Sequence, residues 1–115
     1  MPADRDQATL LDIVTAGRLI LEFKRGLDHA AFLDDLKTQS AIIHQLLVIG
    51  EAAKRLSEEF KTAHPAVPWR DIARMRDKMV HYYEGINRQE VWKAAEADVP
   101  ALLAHLAPLA PRPEP

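Results

Sequence analysis

The chain predicts an all-α fold, an antiparallel bundle of four or five helices, on three observations. Apolar residues recur at i, i+3, i+4 and i+7 along most of its 115 residues. No stretch alternates convincingly with period two. Glycines, prolines and short polar side chains fall between the apolar stripes, where helices start and stop. A composition of 48% apolar and 28% charged residues is that of a globular protein, and the length allows one core. One helical domain over residues 1–107 and a proline-rich, flexible tail over 108–115 are expected.

The first stripe is Leu10, Ile13, Val14, Gly17, Ile20 and Leu21, and Gly26 is placed to end that helix in a left-handed cap. Asp28 can cap a short second helix beginning at His29. A third helix is expected from about Lys37 to Phe60, its stripe formed by Ile42, Ile43, Leu46, Ile49, Ala53 and Leu56. Within it, Gly50 lets another element come close. The chain breaks at His64–Pro68, and Pro68 suits the first turn of a helix that starts near Trp69 and stops around Gly85. Asn87 with Glu90 three positions on resembles a capping box. It opens a last helix whose face is Val91, Trp92, Ala95, Val99, Leu102, Leu103 and Leu106. Pro100 lies inside that pattern, so a kink or a local restart is expected there.

Several function classes are excluded early. There is no cysteine, hence no disulfide, thiolate metal site or cysteine nucleophile. The start, MPADRDQATL, carries acids before any apolar run and does not read as a signal peptide. The longest apolar run, AIIHQLLVIG, is too short for a membrane span and is interrupted by His44 and Gln45. A soluble, cytoplasmic protein with no membrane partner is expected. Net charge is −2, yet residues 54–93 hold nine basic and six acidic side chains, net +3. Any RNA contact would therefore be local, through a few phosphates. The stripes together with Trp69 and Trp92 offer much apolar surface for so short a chain, which makes a homodimer reasonable.

The chemistry concentrates in RMRDKMVHYYEG, residues 74–85. His44, near the third stripe, reads as a core or interface histidine, and His64 and His105 as exposed ones. No histidine has partners at a recognisable metal-site spacing, so neither metal nor cofactor is expected. Arg76 offers a permanently charged fork suited to phosphate oxygens. His81 can take a proton from a ribose 2′-hydroxyl or give one to a leaving oxygen. The two suffice for metal-free RNA cleavage. Asp77 and His81, at i and i+4, can touch and orient the ring. On one ideal helix, Arg76 and Tyr83 share a stripe about 10 Å apart, whereas His81 lies about 140° around from Arg76. Either the helix ends early or a second copy of the chain completes the site.

Arg76, four residues, His81, one residue and Tyr83 match the Arg-x4-His-x-Tyr pattern of the HepT-like toxins of the HEPN superfamily. IGEAAKRLS (49–57) and HPAVPWRDIARMRDKMVHYYEGIN (64–87) are similar to that family's signature regions, and the resemblance spans roughly residues 8–107. It implies a HEPN-like all-α homodimer whose interface cleft holds the Arg and His of both protomers. It further implies a metal-independent endoribonuclease, the toxin of a two-gene pair of the type II or type VII kind. The partner is an MntA-like minimal nucleotidyltransferase antitoxin that transfers AMP to the motif tyrosine. Carried over by position, Arg76 and His81 are the catalytic pair, Asp77 is supporting and Tyr83 is the AMPylated residue, while Tyr82 has no assigned role. The alternative is a non-catalytic HEPN module that binds a nucleotide or partner and is only a substrate or scaffold for a nucleotidyltransferase.

Overall fold

A computed structural model describes residues 4–111, and the end of the expected proline-rich tail, residues 112–115, lies outside them. The helices are α1 (Asp4–Lys24), α2 (His29–Leu33), α3 (Leu36–Arg55), α4 (Glu58–Ala63), α5 (Trp69–His81), α6 (Arg88–Lys93) and α7 (Val99–Leu106). No strand occurs among the described residues. α3 packs against both α1 and α5, and α7 packs against α1. The start of α1 is tied to the second residue past α3, through Asp6 and Ser57, so these two helices run antiparallel.

The three stripes read from the sequence form the core. Leu10, Ile13, Ile20, Phe32, Ile42 and Leu106 are essentially inaccessible to solvent. Burial of each contributes about 1.5–3 kcal/mol. Trp92 is also buried within the protomer, against Phe32 and beneath the Lys24 ammonium, so it does not call for a second chain to cover it. Gly26, at φ +79°, closes α1, where a side chain would be strained. Asp28 accepts from the Ala31 amide at 2.8 Å and Asn87 from that of Gln89 at 2.9 Å, which fixes where α2 and α6 begin.

Two boundaries differ from expectation. The third helix stops at Arg55 because Leu56 turns extended, and Ser57 caps a separate α4 through the Phe60 amide. The Asp6 carboxylate accepts from both the Ser57 hydroxyl (2.7 Å) and its amide (3.0 Å), and so holds the break in place. The motif helix stops at His81 rather than near Gly85; Tyr82 leaves helical geometry and Tyr83–Gly85 form a 3₁₀ turn. Near Pro100 the expected irregularity takes the form of a π-helical turn just before the proline. Arg88–Leu106 is continuous through a π-helical turn at Ala94–Asp98, where the Val99 amide donates to the Ala94 carbonyl five residues back. Proline lacks an N–H and crowds the carbonyl four residues before it, and a shift of register one turn earlier accommodates both effects.

Candidate active site

Arg76 is built into place from α3. A Cβ at Gly50 would fall 2.7 Å from Arg76 Cγ, so only glycine leaves room for the arginine stem against the helix. The next residue, Glu51, forms an ion pair with Arg76 Nη2. Asp77 Oδ1 accepts from Arg76 Nη1 at 3.1 Å and from Lys54 Nζ at 2.7 Å. Hydrogen bonds from Lys54 and then Arg76 hold the Asp77 carboxyl below its ordinary value. Asp77 first, then Glu51 against some desolvation, stabilise the charge on Arg76 still further. Arg76 Nε is shielded from solvent and finds no acceptor among the described residues.

The other motif residues lie elsewhere on the surface. His81, the last residue of α5, is exposed, and its ring meets Tyr82 edge-on at 6.3 Å. Asp77 bonds to Lys54 and Arg76 instead of orienting His81, so the anticipated i, i+4 contact is replaced by one reaching across to α3. Tyr83 is exposed in the 3₁₀ turn, off the stripe that an unbroken helix would give it with Arg76. Val80, four residues after Arg76 and hence its neighbour on the same face of α5, is also exposed.

Sequence reasoning missed Glu51 and Lys54 as partners of the motif. The signal lay in IGEAAKRLS, where glutamate follows the glycine that admits Arg76 and lysine comes one turn later. His44 is exposed on α3 and is no core residue, since its side chain falls opposite the buried stripe. His64 and His105 are half-buried rather than exposed, and their ring nitrogens approach to 3.3 Å. Among the described residues, no three His, Asp or Glu side chains gather into a group able to hold a metal. Nor is any helix among them long and apolar enough to cross a membrane.

The all-α bundle is HEPN-like in fold. The Ribonuclease HepT-like family matches residues 13–109, and the chain belongs to that family, which makes it an RNase. It is 47% identical over 93 residues to a protein of Thermococcus cleftensis named "Probable ribonuclease HepT", covering 81% of this chain and 84% of that one. It is 43% identical over 100 residues to the "Putative RNase MJ0127" of Methanocaldococcus jannaschii, covering 87% and 83%. A third relative, from Caldanaerobacter subterraneus and also named as an RNase, is 37% identical over 83 residues, covering 72% and 74%. No solved structure matches the chain.

Proposed function

We propose that this RNase is a metal-independent endoribonuclease acting as the cytoplasmic toxin of a toxin–antitoxin pair, with Arg76 and His81 catalytic at a homodimer cleft. The observation that carries this reading is the state of Arg76. Two carboxylates hold its fork at the surface while its buried Nε–H lacks an acceptor. An unpaired buried donor is costly, so a small displacement of the guanidinium toward an arriving phosphate recovers a partner. His81 stands exposed at the end of the same helix.

In the reaction, the ribose 2′-oxygen forms a bond to phosphorus as the bond from phosphorus to the 5′-oxygen breaks. A neutral His81 takes the 2′-hydroxyl proton, and a protonated His81 of the second copy supplies one to the leaving 5′-oxygen. Arg76 stabilises the charge on the non-bridging oxygens, and the products are a 2′,3′-cyclic phosphate and a 5′-hydroxyl. A homodimer is supported by the exposed Val80 beside Arg76, which a two-fold axis along that face of α5 would cover. An MntA-like nucleotidyltransferase is the antitoxin. AMP on the accessible Tyr83 hydroxyl adds a phosphate and a base near the cleft, which obstructs RNA by charge and bulk.

The second reading, a non-catalytic substrate or scaffold of the nucleotidyltransferase, draws on the same salt bridges, since both carboxylates already occupy the arginine fork. Induced expression of wild type, Arg76→Ala and His81→Ala, with growth followed, and RNA cleavage by the purified proteins in EDTA separate the two readings. Wild type arrests growth and yields cyclic-phosphate ends, and both variants lose this. Undiminished cleavage by either variant removes the assigned pair, and stable nucleotidyltransferase binding without RNA turnover favours the second reading.

A further inference from the structure

The opposite side of α5 carries a second concave surface that the catalytic reading leaves unused. A cleft of about 360 Å³ lies between α5 and α6, bounded by Arg74, Lys78 and Tyr82, with Asn87 and Glu90 across from them. Arg74, Lys78 and Tyr82 follow one another at four-residue spacing, so they form a row along the helix up to its C-cap. The floor is apolar, with the buried Met79 and Val91 beneath it.

The charge of this cleft is cancelled from within. Arg74 lies 4.0 Å from Asp71, and Lys78 lies 3.8 Å from Glu90. A phosphate entering here meets two carboxylates along with the two cations. A neutral planar ring with donors and acceptors on its edge fits better. Tyr82 is 67% exposed and supplies an aromatic face that no other side chain of the cleft offers. Asn87 caps α6 through Oδ1, and its amide NH₂ has no partner among the described residues and can donate; the Glu90 carboxylate, paired with Lys78 through Oε2, can accept from an exocyclic amine. The Tyr82 ring meets that of His81 at 6.3 Å, so the cleft opens beside the catalytic histidine while sharing neither Arg76 nor Tyr83.

We propose that the cleft between α5 and α6 is a nucleobase subsite, in which Tyr82 stacks on the base of a nucleotide flanking the scissile phosphate while Asn87 and Glu90 meet the base edge. The subsite rests on the ribonuclease reading, and it gives Tyr82 a positioning role. Stacking of a base on one aromatic ring shifts affinity roughly tenfold to a hundredfold.

Two measurements test it. In steady-state cleavage of a short RNA, Tyr82→Ala raises KM by about tenfold or more and flattens the preference for the flanking base, and Tyr82→Phe restores both. A Tyr82→Ala enzyme with wild-type KM and base preference overturns the proposal, and so does a variant that lowers only kcat. Independently of turnover, the four ribonucleosides are titrated into the ¹⁵N-labelled protein, with ribose 5-phosphate alongside. Shifts of the Ile86, Asn87 and Glu90 amides with at least one nucleoside, weaker with ribose 5-phosphate and absent in Tyr82→Ala, support the base site. No shift, as when a second copy fills the cleft, or equal shifts with ribose 5-phosphate, overturns it. Should the wild type cleave no RNA, the catalytic reading fails and the titration alone decides the cleft.

Discussion

Gly50 lies directly beneath the stem of Arg76, close enough that any Cβ at that position would overlap the arginine's own Cβ and Cγ. One missing methyl on α3 therefore decides where the charge on α5 can sit. The clash is with the base of the side chain and not its mobile end, so it cannot be relieved by rotating the guanidinium. Gly50→Ala is expected to lower stability by about 1–2 kcal/mol, since overpacking outweighs the better helix propensity of alanine. Cleavage should fall further than stability does, because the displaced group is the cation itself. Thermal unfolding and RNA cleavage on the same preparation check this, and a variant matching wild type in both would show that the close approach has no consequence.

Glu51 makes a different test, because it touches Arg76 without supporting the core. Its side chain is 46% exposed, and a half-exposed ion pair stabilises a fold by about 0–1 kcal/mol. Glu51→Ala should leave the melting temperature within a few degrees of wild type while kcat drops roughly tenfold, as the fork loses the partner that aims it. Glu51→Gln keeps an acceptor oxygen in the same place and should recover part of the rate. If Glu51→Ala cleaves as fast as wild type, Asp77 alone fixes the arginine.

The contrast between these sites and the rest of the chain shows what sequence can carry. The stripes of α1, α3 and the last helix, the caps at Asp28 and Asn87 and the stop at Gly26 are local physics, and each stands where its own few residues put it. The break at Leu56–Ser57 is held by Asp6, 51 residues away, and a spacing argument on α3 alone does not see it. The same is true of Asp77. Its i, i+4 neighbour His81 is the local expectation, but Lys54 reaches the carboxylate at 2.7 Å from across the α3–α5 contact. The early end of α5 puts Tyr83 in a 3₁₀ turn, off the arginine's stripe. Residue types at the site were legible; their mutual geometry was tertiary.

Asp6 predicts a pH dependence with a definite sign. Burial raises its pKa, but the hydroxyl and amide of Ser57, with Arg5 nearby, outweigh that and leave the carboxyl below its ordinary value in the folded chain. The unfolded chain thus takes up the proton first as pH falls. The contribution is complete above about pH 4 and is lost as pH drops through the folded value. Asp6→Asn should cost about 1–3 kcal/mol at pH 7, since a charged acceptor of two hydrogen bonds is removed. Urea unfolding at pH 7, 5 and 3 should show the gap between wild type and variant constant at the two higher values and narrowed at the lowest. A gap that widened toward acid would contradict a depressed pKa.

Val80 tests the homodimer on which the two-histidine mechanism depends. It is 52% exposed on the face of α5 that also carries Arg76, whereas Met79, one residue earlier, is buried in the core. A single exposed valine is ordinary on a monomer surface, so its meaning depends on what a charge does there. If the second copy covers this face, Val80→Glu buries a carboxylate against an apolar or cationic surface and should shift the protein toward monomer in sedimentation equilibrium. The protomer itself has no reason to unfold, because the side chain is in solvent, and the helical circular dichroism should be retained. Cleavage should then be weak at low protein concentration and recover in part as concentration rises, the signature of a site completed by association. Val80→Ala, which removes apolar area without adding charge, should fall between the two. A fully monomeric wild type, or a Val80→Glu protein that stays dimeric and active, would place the interface elsewhere and return His81 to acting within one chain.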